Sequence, residues 1–142
     1  MATFKALDDS FAVSAQISLD DVHAAAQQGF KHIVCNRPDN EDPGQPDFAD
    51  ISATASKLGL SSHHIPFDNT SLSPAVIDAM QDTLAALDGP VLAYCRSGTR
   101  CSIAWSALQR RAGHDMAEIE ASTSAAGYAL EPQRGVIEAL SE

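Results

Sequence analysis

A cysteine, two arginines and a glycine fall within six residues of the chain, in the segment CRSGTR at residues 95–100. This segment follows the apolar run PVLAY (90–94) and precedes a stretch with helical spacing. At a strand-to-helix junction, the first N–H groups of the helix have no partner in the helix and can bind an anion. Gly98 allows backbone conformations that a side chain would forbid. The spacing therefore predicts an anion-binding loop that begins with a thiol.

The same loop predicts an activated thiolate at Cys95. A helix N-terminus and nearby arginines lower a cysteine pKa from ~8.5 to roughly 3.5–7.5, and a thiolate can carry a transferred group covalently. Arg100 is expected to bind the anion through two N–H groups. A buried cysteine that only packs is the alternative, but it does not explain the glycine and the arginines. The other expected anion-binding residues of the loop are Arg96, Ser97, Gly98 and Thr99.

Strand and helix patterns alternate along the chain. Strands are predicted at 11–16, 31–35, 61–67 and 90–94, with helices between them and after the last strand. A helical C-terminal tail is predicted at 115–126 and 132–140. This order predicts an α/β fold with a mostly parallel sheet flanked by helices. The carboxyl ends of such strands share one edge, so Cys95, Cys35 and Asp68 are expected there.

Composition restricts the class of protein. A length of 142 residues predicts a single domain, 1–142, and the net charge of −10 disfavours nucleic acid and anionic membranes as partners. No apolar run approaches the ~20 residues needed to span a bilayer, and the N-terminus lacks a signal-peptide pattern. Three cysteines indicate reduced thiols and a cytoplasmic location. Histidine and cysteine spacings do not suggest a zinc site, and we expect no metal or cofactor.

Three longer stretches carry a family resemblance. They are QISLDDVHAAAQQGFKHIVCNRPDNEDPGQP, then HHIPFDNTSLSP, then GPVLAYCRSGTRCSIAW. Together, over residues 11–112, they resemble the DUF442 family, the phosphatase-like domain of beta-lactamase-hydrolase-like proteins, also described as bacterial sulfurtransferases. The CRSGTR segment alone is similar to the active-site loop of single-domain rhodaneses, but the chain lacks their GHIPGA-like stretch. The resemblance implies a dual-specificity-phosphatase-like fold with Cys95 as nucleophile.

The loop departs from the phosphatase pattern by one residue. Cysteine phosphatases place five residues between nucleophile and arginine, whereas here Arg100 comes one position earlier and Cys101 stands in its place. The shorter, rhodanese-length loop suits a small group such as a persulfide sulfur better than a phosphoryl group. We therefore expect a sulfurtransferase that takes sulfur from a small anionic donor and passes it to a thiol. A phosphatase acting on a phosphorylated substrate is the first alternative, and a non-catalytic domain that binds an anion or a partner is the second.

Four further residues have two readings each. Asp68 corresponds to the general acid of the phosphatase relatives, or it forms a turn with Asn69. Arg37 contacts the substrate, or it pairs with acidic residues of its own loop. Cys101 and Cys35 are resolving thiols that react with Cys95, or they are packed small residues.

Overall fold

The computed structural model describes residues 2–142. Its described elements form a five-stranded sheet, six α-helices and a short 3-10 helix. The strands are β1 (Lys5–Ala6), β2 (Phe11–Ser14), β3 (His32–Cys35), β4 (Ser61–His64) and β5 (Val91–Tyr94). The α-helices are α1 (Leu19–Gln27), α2 (Phe48–Lys57), α3 (Pro74–Ala85), α4 (Thr99–Arg111), α5 (Met116–Ala125) and α6 (Arg134–Leu140), and the 3-10 helix spans Glu131–Gln133. The α/β class and the helical C-terminal end are confirmed.

The sheet is mostly parallel, in the order β1-β2-β5-β3-β4. β5 is central and pairs in parallel with both β2 and β3, while β4 lies at the edge. β1 pairs antiparallel with β2 and was not predicted, because two residues give no periodic signal. β2 and β4 are shorter than predicted, since β2 ends at Ser14 and β4 ends at His64 before Pro66.

Two apolar clusters cover the two faces of the sheet. Residues of β5 alternate between them, because successive strand side chains point to opposite faces. Val91 and Ala93 belong to the cluster shared with α3, α4, α5 and α6, and Leu92 and Tyr94 belong to the cluster shared with α1 and α2. All four β5 residues are buried, as the continuous apolar run predicts. Cys95 therefore directly follows a strand that is buried on both faces.

Local sequence fixes the ends of several helices. Ser18 and Asp21 form a capping box at the start of α1, with Asp21 N donating to Ser18 Oγ at 3.1 Å and Ser18 N donating to Asp21 Oδ2 at 2.9 Å. Pro74 opens α3 after Ser73, although the Ser73 side chain makes no capping hydrogen bond. Gly98, with φ of +94°, precedes α4 and turns the chain from β5 into the helix.

Candidate active site

The loop at residues 95–100, here the Cys95 loop, connects the centre of the sheet to α4. Cys95 directly follows β5, and its backbone N–H donates to Ser14 O of β2 at 3.3 Å. Gly98 N donates to Cys95 Sγ at 3.1 Å. The loop therefore curls around the sulfur and places a backbone N–H against it, as the spacing predicts.

The surroundings of Cys95 favour its charged form. Its pKa is lowered from 9.0 to about 5, first by a hydrogen bond from the Cys101 thiol and further by backbone N–H groups of Cys101, Gly98 and Ser97. These contacts outweigh burial, which opposes ionisation. Cys95 has no exposed surface, so its sulfur lies at the base of the loop.

Arg100 lines the cavity over the loop and is paired there with Glu41. Its Nη1 donates to Glu41 Oε2 at 2.9 Å and its Nη2 donates to Glu41 Oε1 at 2.7 Å. Nη1 also donates to the Phe67 carbonyl at 3.0 Å. The guanidinium fork of Arg100 is thus paired with a carboxylate of the chain itself, and its binding of an anion stays a prediction. This pair lowers the pKa of Glu41 and raises the pKa of Arg100.

Glu41 was expected only as one of the acidic loop residues that could pair with Arg37, but it also contacts Arg100 of the Cys95 loop. Its carboxylate lies between two guanidinium groups, because Arg37 Nε donates to Glu41 Oε1 at 2.9 Å. The i,i+4 spacing of Arg37 and Glu41 was the available signal for that contact. The contact with Arg100 spans 59 positions in the chain and has no local signal.

Arg37 shapes its loop and does not face the cavity. It is 3% exposed. Its guanidinium donates hydrogen bonds to Glu41 Oε1, to Asp42 Oδ2 at 2.6 Å and to Gln16 Oε1 at 3.0 Å. Of its two readings, pairing with acidic neighbours is the one observed. The anion-binding assignment of Arg37 is corrected, since its guanidinium is buried and engaged.

A cavity of about 670 Å³ opens over the Cys95 loop. Its charged and polar wall includes Glu41, Asp68, Arg96 and Arg100. Arg96 is exposed, and its Nε lies 3.2 Å from Asp42 Oδ2. Two loop hydroxyls meet beside it, where Ser97 Oγ donates to Thr99 Oγ1 at 3.1 Å, and both residues line the cavity. The remaining lining residues are Asn69, Leu72, Ile103, Gln133 and Val136.

Asp68 lines this cavity and also forms the predicted turn. Its Oδ1 accepts hydrogen bonds from Thr70 N at 2.8 Å, Thr70 Oγ1 at 2.6 Å and Ser71 N at 3.0 Å. These bonds, led by the Thr70 hydroxyl, lower the pKa of the Asp68 carboxyl. A carboxylate held in this way is ionised near neutral pH, which is the wrong state for a proton donor.

The other two cysteines differ in their relation to Cys95. Cys101 is fully buried beside Cys95, and its pKa is raised well above 9.0 by burial and by the neighbouring sulfur. Cys35 lies opposite Tyr94 in the sheet register and belongs to the other apolar cluster, and burial raises its pKa to about 11. Cys35 Sγ donates to Arg37 O at 3.3 Å. The resolving-thiol reading of Cys35 is corrected, because the sheet separates it from the Cys95 side.

Tyr128 completes the site from the C-terminal region. Its hydroxyl donates to Ser97 O at 3.0 Å. A Cβ added at Gly98 would lie 2.1 Å from the Tyr128 oxygen, so the ring closes directly over the loop. Sequence reasoning missed this residue, since it stands after α5 in a segment without a recognisable motif.

Within residues 2–142, His, Cys, Asp and Glu side chains form no group of three or more suited to a metal ion. In the same residues, no helix is long and apolar enough to cross a membrane.

Solved structures share the fold described above. A candidate phosphatase from Neisseria meningitidis Z2491 superposes with a TM-score of 0.87 at 35% identity, covering 96% of each chain. A second candidate phosphatase, a DUF442 protein from Shewanella putrefaciens CN-32, has a TM-score of 0.73 at 15% identity, covering 97% of this chain and 88% of the other. The second likeness concerns the fold alone.

Sequence relatives give the family. A beta-lactamase hydrolase-like protein of Xylella fastidiosa is 33% identical over 127 residues, which cover 87% of this chain and 29% of the relative. The chain thus spans less than a third of the curated relatives that it matches. The family model for the phosphatase-like domain of beta-lactamase hydrolase-like proteins matches residues 3–112. The resemblance read from the three sequence stretches is confirmed, and the chain belongs to this family as its phosphatase-like domain.

Proposed function

We propose that the chain is a cysteine-thiolate group-transfer enzyme that passes sulfane sulfur through a Cys95 persulfide. The observation that carries this proposal is the six-residue Cys95 loop, whose sulfur has a pKa of about 5 and is fully buried. A single sulfur atom is a smaller group than a phosphoryl group with its three oxygens. The depth of the sulfur therefore favours transfer of sulfur.

The reaction needs no group beyond the substrates. The Cys95 thiolate attacks the outer sulfur of a donor such as thiosulfate, the S–S bond of the donor breaks, and sulfite leaves with the electron pair. The Cys95 persulfide then carries the negative charge on its terminal sulfur. A thiolate or cyanide attacks that sulfur and restores the Cys95 thiolate. Gly98 N–H, which donates to the Cys95 sulfur at 3.1 Å, is one donor that stabilises the charge on this side chain.

The Arg100–Glu41 pair also supports sulfur transfer. A phosphoryl group in transfer needs its equatorial oxygens neutralised, commonly by an arginine fork. The fork of Arg100 is occupied by Glu41, and a second carboxylate, Asp68, lines the same cavity. A Cys95 persulfide carries one negative charge, whereas a phosphocysteine carries up to two, so the persulfide is the better fit to a wall whose arginine is already paired with a carboxylate.

Phosphoryl transfer is the second candidate, and the position of Asp68 favours it. Asp68 faces the same cavity as the Cys95 loop, which is where a general acid would stand. The Neisseria relative at 35% identity is described as a candidate phosphatase. In this mechanism Cys95 attacks phosphorus, Asp68 protonates the leaving oxygen, and water hydrolyses the phosphocysteine.

One mass measurement separates these candidates. The protein is incubated with thiosulfate or glutathione persulfide, and its intact mass is recorded beside Cys95→Ser and Cys35→Ser variants. Sulfur transfer predicts a gain of one sulfur atom in the wild type and in Cys35→Ser, and none in Cys95→Ser. An aryl phosphate is tested in parallel with an Asp68→Asn variant.

Each outcome assigns a function. Turnover of the aryl phosphate that falls in Asp68→Asn, with no sulfur gained, contradicts sulfur transfer and establishes the phosphatase. If the protein catalyses neither reaction, and Cys95→Ser still binds its ligand or partner, the chain is a non-catalytic binding domain.

A further inference from the structure

One peptide unit of the Cys95 loop is held from both sides. The bond between Ser97 and Gly98 carries the N–H that donates to Cys95 Sγ at 3.1 Å. The carbonyl of the same unit accepts the Tyr128 hydroxyl at 3.0 Å. Because a peptide unit is planar, fixing its carbonyl also fixes the direction of its N–H.

We propose that Tyr128 is a positioning residue for Cys95, which holds the Ser97–Gly98 peptide so that its N–H points at the sulfur. Tyr128 does not touch the reacting atoms and acts through this peptide. A donor on the carbonyl also polarises the unit and strengthens the hydrogen bond made by its N–H. This inference rests on the Cys95 thiolate of the proposed function, but not on which group the thiolate transfers.

Packing limits the alternatives open to this peptide. Tyr128 is 9% exposed, and its ring lies so close to Gly98 that an added Cβ would be 2.1 Å from the hydroxyl oxygen. Gly98 adopts φ of +94°, a conformation in which the N–H turns back towards Cys95. The ring and the hydroxyl together oppose a flip of the unit, which would remove the N–H from the sulfur.

Near neutral pH the Tyr128 hydroxyl keeps its proton and remains a donor. Burial raises the pKa of Tyr128, and the charges of Cys95 and Cys101 raise it further. Lys5 Nζ of β1 lies over the Tyr128 ring, 5.2 Å from its centre. The other titratable side chains that interact electrostatically with Cys95 are Cys101 and Arg100 of α4 and, on the other face of the sheet, Cys35.

This contact comes from outside the segment that defines the family match. The family model covers residues 3–112, whereas Tyr128 follows α5. The C-terminal region therefore contributes to the chemistry of the site as well as to the core. No motif around Tyr128 signals this role.

The test compares the two tyrosines of the chain. The ultraviolet absorbance of the thiolate is followed against pH in the wild type, Tyr128→Phe and Tyr94→Phe, each minus its own Cys95→Ser counterpart. Tyr94 is the matched control because it is buried on the other sheet face, among the residues around Cys35. We expect Tyr128→Phe to raise the Cys95 midpoint by about one pH unit, and Tyr94→Phe to leave it unchanged.

The outcomes are distinguishable from failure of the proposed function. An ordinary cysteine midpoint in the wild type removes the thiolate and with it the proposed function. A low wild-type midpoint that Tyr128→Phe does not move, or that Tyr94→Phe moves equally, overturns the role of Tyr128 alone.

If the Tyr128→Phe variant does not fold, a second measurement on the unsubstituted chain tests the same proposal. Fluorotyrosine is incorporated into the otherwise unaltered chain, and the ¹⁹F resonance of Tyr128 is followed against pH. We expect it to shift at the Cys95 midpoint and to lose this shift in Cys95→Ser. A resonance that shows no step at that midpoint contradicts the proposal.

Discussion

At the scale of single residues, Cys101 has the largest effect on the charge of Cys95. Its thiol donates to the Cys95 sulfur and is the first cause of the lowered pKa. We expect Cys101→Ala to raise the pKa of Cys95, because the donor is lost. Cys101→Ser keeps an O–H donor and should restore most of the effect. Thiolate absorbance against pH checks both variants, and equal midpoints in the alanine and serine variants would contradict the role of the donor.

Glu41 permits a stability prediction. Its carboxylate joins the buried Arg37 to Arg100, so Glu41→Gln leaves both guanidinium groups with a weaker partner. We expect the free energy of unfolding to fall by about 1–3 kcal/mol, measured by urea denaturation near neutral pH. Glu118→Gln is the matched control, since its pair with His114 is exposed at both ends and should contribute little. Equal losses in the two variants would argue against a special role for Glu41.

The pH dependence of that loss has a defined sign. The folded pKa of Glu41 is lowered from its ordinary 4.5, so the folded protein favours the charged form more than the unfolded chain does. The stabilisation is complete above pH 4.5 and is lost as the pH falls through the lower folded value. The difference between wild type and Glu41→Gln should therefore shrink in acid.

Sequence reasoning succeeds for residues whose role is local and fails for those whose partner is distant. Cys95 and Gly98 are three positions apart, and their contact was predictable from loop chemistry. The role of Arg100 was not, because Glu41 reaches it across 59 positions and no pattern in the sequence pairs them. Tyr128 lies 31 positions from Ser97 and was missed for the same reason.

At the scale of elements, α4 is flanked by two glycines whose surroundings differ. Gly98 and Gly113 both have positive φ, of +94° and +98°. A Cβ at Gly98 would meet Tyr128, whereas a Cβ at Gly113 would meet nothing within 4 Å. Gly113→Ala should therefore cost only the backbone strain of about 1–2 kcal/mol. Gly98→Ala should cost more and should also raise the Cys95 midpoint, since Tyr128 or the loop must move.

Urea denaturation and thiolate absorbance of both glycine variants check this prediction. A Gly98→Ala protein as stable as Gly113→Ala, with an unchanged Cys95 midpoint, would show that the loop absorbs the extra methyl group freely.

Helices and strands are easier to predict from the sequence when they are long or begin with a recognisable capping residue. β5 was predicted from an apolar run that the structure buries completely. The start of α1 is encoded as locally, by Ser18 and the acids after it. β1 could not be predicted, because its two residues form a strand only by pairing with β2. The parallel order of the strands predicted that Cys95 and Asp68 lie at the same edge of the sheet. The sheet face to which Cys35 belongs depends on the register of β3 with β5, which the sequence does not show.

At the scale of the whole molecule, the three cysteines should give stability a maximum in mildly alkaline solution. The pKa of Cys95 is about 5 in the folded protein and 9.0 ordinarily, so between these values the unfolded chain binds the additional proton. Stability should rise with pH across that window, by up to about 1.4 kcal/mol per pH unit from this group. Cys35 and Cys101 act in the opposite direction above pH 9, because their pKa values are raised in the folded protein.

Urea denaturation at steps of pH, with wild type and Cys95→Ser compared at each step, isolates the contribution of Cys95. The difference in the free energy of unfolding should grow from pH 5 to pH 9, because the serine variant has no thiolate to lose on unfolding. Above pH 9 both proteins should weaken together, since both retain Cys35 and Cys101 as buried thiols that ionise on unfolding. A difference that stays constant from pH 5 to pH 9 would mean that Cys95 is protonated in the folded protein, and the charge on which the chemistry of this site depends would be absent.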